Sequence, residues 1–102
     1  MNFARVEIDG KLYQSKSFGV ALYDRHDDLN SKFGFIISTK ISKKAVVRNK
    51  IKRMISEAIR QHLNTIKNGL DVVFLLKPQV TKCTDEQIQN EVNETIIKNL
   101  QK

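Results

Sequence analysis

Two short apolar runs, Phe33-Gly34-Phe35-Ile36-Ile37 and Val72-Val73-Phe74-Leu75-Leu76, flank a stretch whose period is helical from about Lys43 to Lys67. No other feature constrains the fold as tightly. A helix that leaves one strand and delivers the chain to the next makes a crossover, so the two strands run parallel. On a helical wheel Val47, Ile51, Met54, Ile55 and Ala58 share one arc, about 100° wide, which is broad enough for a core-facing stripe. Arg48, Asn49, Lys52, Arg53 and Arg60 share a separate arc, while Ile59 and Leu63 spread off the stripe. Ser42 is the expected N-cap, and Asn68-Gly69 the expected left-handed stop. Such a helix is held by its apolar side and presents its cations at fixed spacing.

The remaining elements follow from local signals. Val6 and Ile8 precede Asp9-Gly10 and Leu12 follows, the pattern of a hairpin. Phe18 to Tyr23 reads as a strand, Asp24 to Ser31 as a polar loop, and Lys77-Pro78 as the end of the last strand. Thr84-Asp85-Glu86-Gln87 has the capping-box form, and Ile88, Val92, Ile96 and Leu100 make an i+4 stripe for a closing helix. The 102 residues suit one domain, 1–102. A single cysteine, Cys83, excludes an internal disulfide framework and a multi-cysteine zinc site. The longest apolar run has five residues, against about 20 for a membrane helix. Arg5, Glu7, Asp9, Lys11 and Lys16 leave no secretory h-region, so a soluble, cytoplasmic protein is expected.

The formal charge of +7 has an address. Between Leu29 and Ser56 lie eight basic residues (Lys32, Lys40, Lys43, Lys44, Arg48, Lys50, Lys52, Arg53) and no acid, whereas the other parts hold ten basic and eleven acidic residues. An ordinary solvated helix alternates signs, as i,i+4 pairing favours. This one does not until Glu57. Seven like charges within Lys40–Arg53 repel one another unless a polyanion neutralises them, which points to nucleic acid.

Catalysis by the side chains alone is poorly supported. His26 and His62 are the only bases near neutral pH. His26 sits in the polar loop Asp24-Arg25-His26-Asp27-Asp28, which reads as solvated surface rather than a metal site, and His62 lies at the edge of the apolar stripe. Cys83 has no nucleophile motif around it, and there is neither a GxGxxG nor a Walker-type loop.

The string Ala45-Val46-Val47-Arg48-Asn49-Lys50-Ile51-Lys52-Arg53, with Glu57-Ala58 and Arg60 beyond it, closely resembles the signature of the bacterial ribonuclease P protein component. Phe35-Ile36-Ile37-Ser38-Thr39-Lys40 resembles that family's third strand and its approach to the helix, and Asp71-Val72-Val73-Phe74 the strand that follows. The Arg-Asn-x-Ile-Lys-Arg core is specific because it mixes charged and apolar positions at fixed spacing. The resemblance implies an α+β fold with a four-stranded mixed sheet, helices packed on it, and a ribosomal protein S5 domain 2-like left-handed βαβ crossover. That would be an exception to the right-handed rule.

The resemblance also implies a role. Members are small basic subunits that assist a catalytic RNA in removing the 5′ leader of precursor tRNA, with Mg²⁺ bound mainly by the RNA and the protein inactive alone. Matched residue by residue, Arg48, Asn49, Lys50, Lys52, Arg53 and Arg60 fall on the RNA-contacting helix motif, and Lys40, Lys43 and Lys44 on the basic run before it. No catalytic or metal-binding residue and no obligate protein partner is implied. The family's cleft between sheet and basic helix, which holds the leader, makes Phe3 and Phe18 candidates for stacking, although simple core packing is the favoured reading of Phe18. Glu7 and Ala21 stand where further cleft aromatics are expected, and Thr39 and Ser42 replace the usual lysine and glycine. The usual basic N-terminal segment and first helix are expected to be nearly absent. A general RNA-binding module of ribosomal-protein type is the alternative; a helix-turn-helix lacks its second short helix. A basic membrane-surface helix would need the apolar stripe that the core requires.

Overall fold

The computed structural model of the chain describes residues 3–37, 41 and 44–101, the side chains of residues 3, 4 and 7 excepted. In chain order the elements are α1 (Phe3–Asp9), β1 (Lys11–Gln14), β2 (Phe18–Asp24), β3 (Lys32–Ile36), α2 (Ala45–Gln61), β4 (Leu70–Leu76), a 3₁₀ turn (Pro78–Lys82), α3 (Asp85–Thr95) and a π turn (Ile96–Leu100). The sheet order is β1-β2-β4-β3. β2 pairs antiparallel with both β1 and β4, while β3 pairs parallel with β4, Gly34 opposite Val73 and Phe35 opposite Phe74. The expected strand–helix–strand unit is therefore present, with α2 joining the parallel pair.

Strand alternation divides the apolar residues between two faces of the sheet. Phe18 and Val20 of β2 with Leu70, Val72, Phe74 and Leu76 of β4 face Ile51, Ile55, Ala58 and Ile59 of α2 and Ile88, Val92, Ile96 and Leu100 of the closing helix. Phe33 and Phe35 of β3 pack against the rim of this core. Ile59 is buried although it lay off the expected stripe, because α2 touches α3 as well as the sheet and so buries a wider arc. On the other face Ala21 and Val73 meet Val6 of α1, with Tyr23 and Leu75 at the margin.

Three local expectations are corrected. The N-terminal segment holds a helix, α1, so the first helix is not absent. Val6 is buried and Ile8 is 79% exposed, as two residues about 200° apart on a helix should be, whereas on a strand they would share a face. Gly10 closes α1 through its N–H to the Val6 carbonyl, 3.0 Å, and a Cβ there would collide with the carbonyl oxygens of Val6 and Leu22. The β1–β2 hairpin instead turns at Ser15-Lys16-Ser17, with the Ser15 N–H donating to the Phe18 carbonyl at 2.8 Å.

At the helix boundaries, Lys44 rather than Ser42 occupies the N-cap of α2, without a side-chain cap; Ser42 itself lies outside the described residues. α2 ends at Gln61, seven residues before Asn68. Gly69 does take a left-handed φ of 82°, but it stands immediately before β4, where its N–H donates to the Leu29 carbonyl and a Cβ would meet the Asp27 backbone. The capping box at Thr84 is as expected: Thr84 Oγ1 accepts from the Gln87 N–H at 3.2 Å and Gln87 Oε1 from the Thr84 N–H at 2.9 Å.

Candidate nucleic-acid interface

α2 forms because a 17-residue run free of Gly and Pro carries an apolar arc that two partners, sheet and α3, bury together. Its polar residues then divide by angle. Arg48 and Lys52, one turn apart, lie on the flank toward β3, where they line a recess with Phe35, Ile37 and Asn49. Arg53 and Arg60 stand on the exposed crest. Lys50 is on the opposite flank, in a recess shared with Met54, Val80, Cys83 and Asp85. The structure thus brings Arg48, Asn49 and Lys52 together and separates Lys50 from them. Arg48 and Arg60 span about 18 Å of helix axis.

The electrostatics reinforce the charge count. No acid occupies the first turn of α2. Glu57 pairs with Arg60 at 3.4 Å, both largely exposed, an arrangement that contributes little to stability. Among the described residues no acid pairs with Lys50, Lys52 or Arg53. The helix dipole adds partial positive charge at the end where Lys44 and Arg48 lie. Lys44 is exposed at the N-cap, while Lys40 and Lys43 lie outside the described residues.

The two stacking candidates fare differently. For Phe18 the stacking candidacy is corrected and the core-packing reading holds: its side chain is fully buried, edge-on to Phe74 at 5.4 Å, so it offers no face to a base. The space between the sheet and α2 is the main core, filled rather than open. Phe3 begins α1, and its side chain lies outside the described residues, as does that of Glu7. The aromatic that borders the basic helix is Phe35, half-buried, with Lys52 Nζ 5.9 Å from its ring centroid. Phe33 and Phe35 alternate immediately before the basic segment, a signal visible in the sequence; that β3 is an outer strand was not.

His26, His62 and Cys83 stand apart from the recess that Arg48 and Lys52 line. His26 is exposed at a positive φ of 59°, its backbone N–H donating to Asp24 Oδ1 at 2.8 Å. His62 Nε2 lies 3.0 Å from Asn93 Oδ1, linking the end of α2 to α3. Cys83 Sγ is 3.0 Å from Ser17 Oγ at the hairpin turn. Among the described residues no group of three or more His, Cys, Asp and Glu side chains converges as a metal site. No helix of the described residues is long and apolar enough to cross a membrane.

Comparison with known proteins agrees with this geometry. The chain is 37% identical over 94 residues to the ribonuclease P protein component of Synechocystis sp., covering 91% of this chain and 75% of that one. It is 40% identical over 100 residues to the ribonuclease P protein component of Microcystis aeruginosa, covering 95% and 83%. The ribonuclease P protein of Staphylococcus aureus superposes with a TM-score of 0.89 at 27% identity, over 98% of this chain and 91% of that one. The ribonuclease P family model matches residues 1–100, a span that includes every element of the fold and the whole basic helix; the chain belongs to the ribonuclease P family.

Proposed function

We propose that this chain is the protein subunit of a ribonuclease P, assisting an RNA subunit in the endonucleolytic removal of the 5′ leader from precursor tRNA. The observation that carries the reading is α2 itself: Arg48, Asn49, Lys52, Arg53 and Arg60 project from a helix immobilised by Ile51, Ile55, Ala58 and Ile59. A rigid row of cations neutralises phosphates and releases their counterions without first having to order itself. Contacts of this kind follow the shape and backbone of folded RNA rather than its base sequence.

Mg²⁺, held by the RNA, supplies charge neutralisation at the scissile phosphate. The protein's own contribution is to lower the local density of negative charge where RNA segments meet. Both the ribonuclease P RNA and precursor tRNA are the proposed partners, and the cytoplasm is the proposed site of action.

The test is cleavage of precursor tRNA by a bacterial ribonuclease P RNA at low Mg²⁺, with and without this protein. The expected result is protein-dependent leader removal under conditions where the RNA alone is nearly silent. Tight, salt-dependent binding to the cognate RNA with no gain in cleavage would favour a general RNA-binding module instead.

A further inference from the structure

Phe35 stands where the basic helix meets the edge of the sheet. β3 is an outer strand, so the side of Phe35 away from β4 has no neighbouring strand. The fully buried Phe74 stacks on its ring at 5.6 Å and 19°. The exposed Lys52 holds its ammonium over the ring, 5.9 Å from the centroid. Phe35 and Lys52, with Ile37, Arg48 and Asn49, line a recess of about 190 Å³. Pockets for whole small molecules begin at roughly 300 Å³. A space of this size suits one unit of a longer ligand.

The lining groups are chemically unlike, and their combination narrows the ligand. A phosphate alone would meet the positive charge of Arg48 and Lys52 but make no use of a half-exposed ring. An apolar partner would strip water from two cations and return nothing for it. A nucleotide uses every group: phosphate for the cations, a planar base for Phe35, and a polar base edge for the Asn49 amide. A base inside a duplex has both faces stacked, so the nucleotide must be unpaired.

The geometry points to a seat for one unpaired nucleotide of the RNA partner, formed by Phe35, Arg48, Asn49 and Lys52, with the base against the ring and the phosphate between the two cations. The seat rests on the RNA-binding reading above and adds to it: this flank of α2 reads single-stranded character, while Arg53 and Arg60 on the crest meet phosphates alone. On binding, the Lys52 ammonium leaves a cation–π contact for a charge-assisted hydrogen bond and uncovers the ring for the base. Every base has a π-face, so the seat tolerates any sequence.

Fluorescence anisotropy with the full chain tests this, using a single-stranded RNA hexamer and an abasic hexamer of equal charge at several salt concentrations. The wild-type protein is expected to prefer the base-bearing hexamer by about 5-fold or more. Phe35→Leu keeps apolar bulk against Phe74 and is expected to abolish the preference with the salt slope unchanged. Lys52→Met is expected to reduce the slope by about one for both hexamers. Ring-proton NMR shifts of Phe35 in the wild-type protein read the same contact without any variant, moving with the base-bearing hexamer and not with the abasic one. Equal wild-type affinity for the two hexamers, or an unmoved Phe35 ring, overturns the seat and leaves the phosphate-binding helix standing. Binding of neither hexamer at low salt overturns the RNA-binding reading and the seat with it.

Discussion

Arg25 ties the β2–β3 loop to the sheet. Its guanidinium donates to Asp27 and to Asp71, and to the carbonyls of Leu70 and Asn30 at 3.4 and 3.0 Å. Asp71 is only 8% exposed, so losing Arg25 would leave a buried carboxylate without its cation. The neighbouring carboxyls respond to the same network. The Arg25 hydrogen bond holds Asp27 below its ordinary value of 3.8, and the His26 N–H, then Lys67, do the same for Asp24. A carboxyl whose folded pKa is depressed contributes stability above its unfolded pKa and loses it as pH falls through the folded one. Chemical-denaturation midpoints are therefore expected to hold above about pH 5 and to decline progressively below about pH 4. Asp27→Asn should make the decline shallower and begin from a lower plateau. An unchanged acid limb in that variant would show that the loop network does not set it.

Two helices close the core, and each is held differently. α2 has no side-chain cap and depends on burial, whereas α3 has the Thr84–Gln87 box, with Asp85 and Glu86 in its first turn complementing the dipole. Thr84→Ala should cost about 1 kcal/mol, lowering the melting temperature by about 4–8 °C for a chain of this size. A scanning calorimetry trace that superposes on wild type would show the box to be incidental. These helices also show which parts of the structure were legible in advance. Capping boxes and i+4 stripes are local, so α3 and its buried Ile88, Val92, Ile96 and Leu100 could be read directly. Asp9-Gly10 was misread because a glycine that ends a helix and one that turns a hairpin look alike over four residues. Strand order depends on contacts distant in sequence. The outer position of β3 and the division of Lys50 from Lys52 therefore became visible only with the fold.

At the scale of the whole molecule, the question is whether the net charge or its placement binds RNA. The formal charge is +7, yet all eleven acids lie outside Leu29–Ser56, Glu57 in the second half of α2 being the first beyond it. A uniform positive body would attract RNA from any side, with every lysine and arginine contributing alike. A placed charge makes the cost of losing one cation depend on where it sits. Arg53, exposed on the crest of α2, and Lys98 separate the two cases. Lys98 lies beside β1, the opposite edge of the sheet from β3, and is paired with Glu94 at 2.9 Å. Arg53→Ala and Lys98→Ala each remove one positive charge, and each should alter stability by no more than about 0.5–1 kcal/mol. Placement predicts that Arg53→Ala lowers affinity for the ribonuclease P RNA and reduces the salt slope by about one, with Lys98→Ala binding as wild type. Equal losses in the two variants would mean that the basic helix is no more than part of a general positive field. The division of labour between crest and flank would then have no basis either.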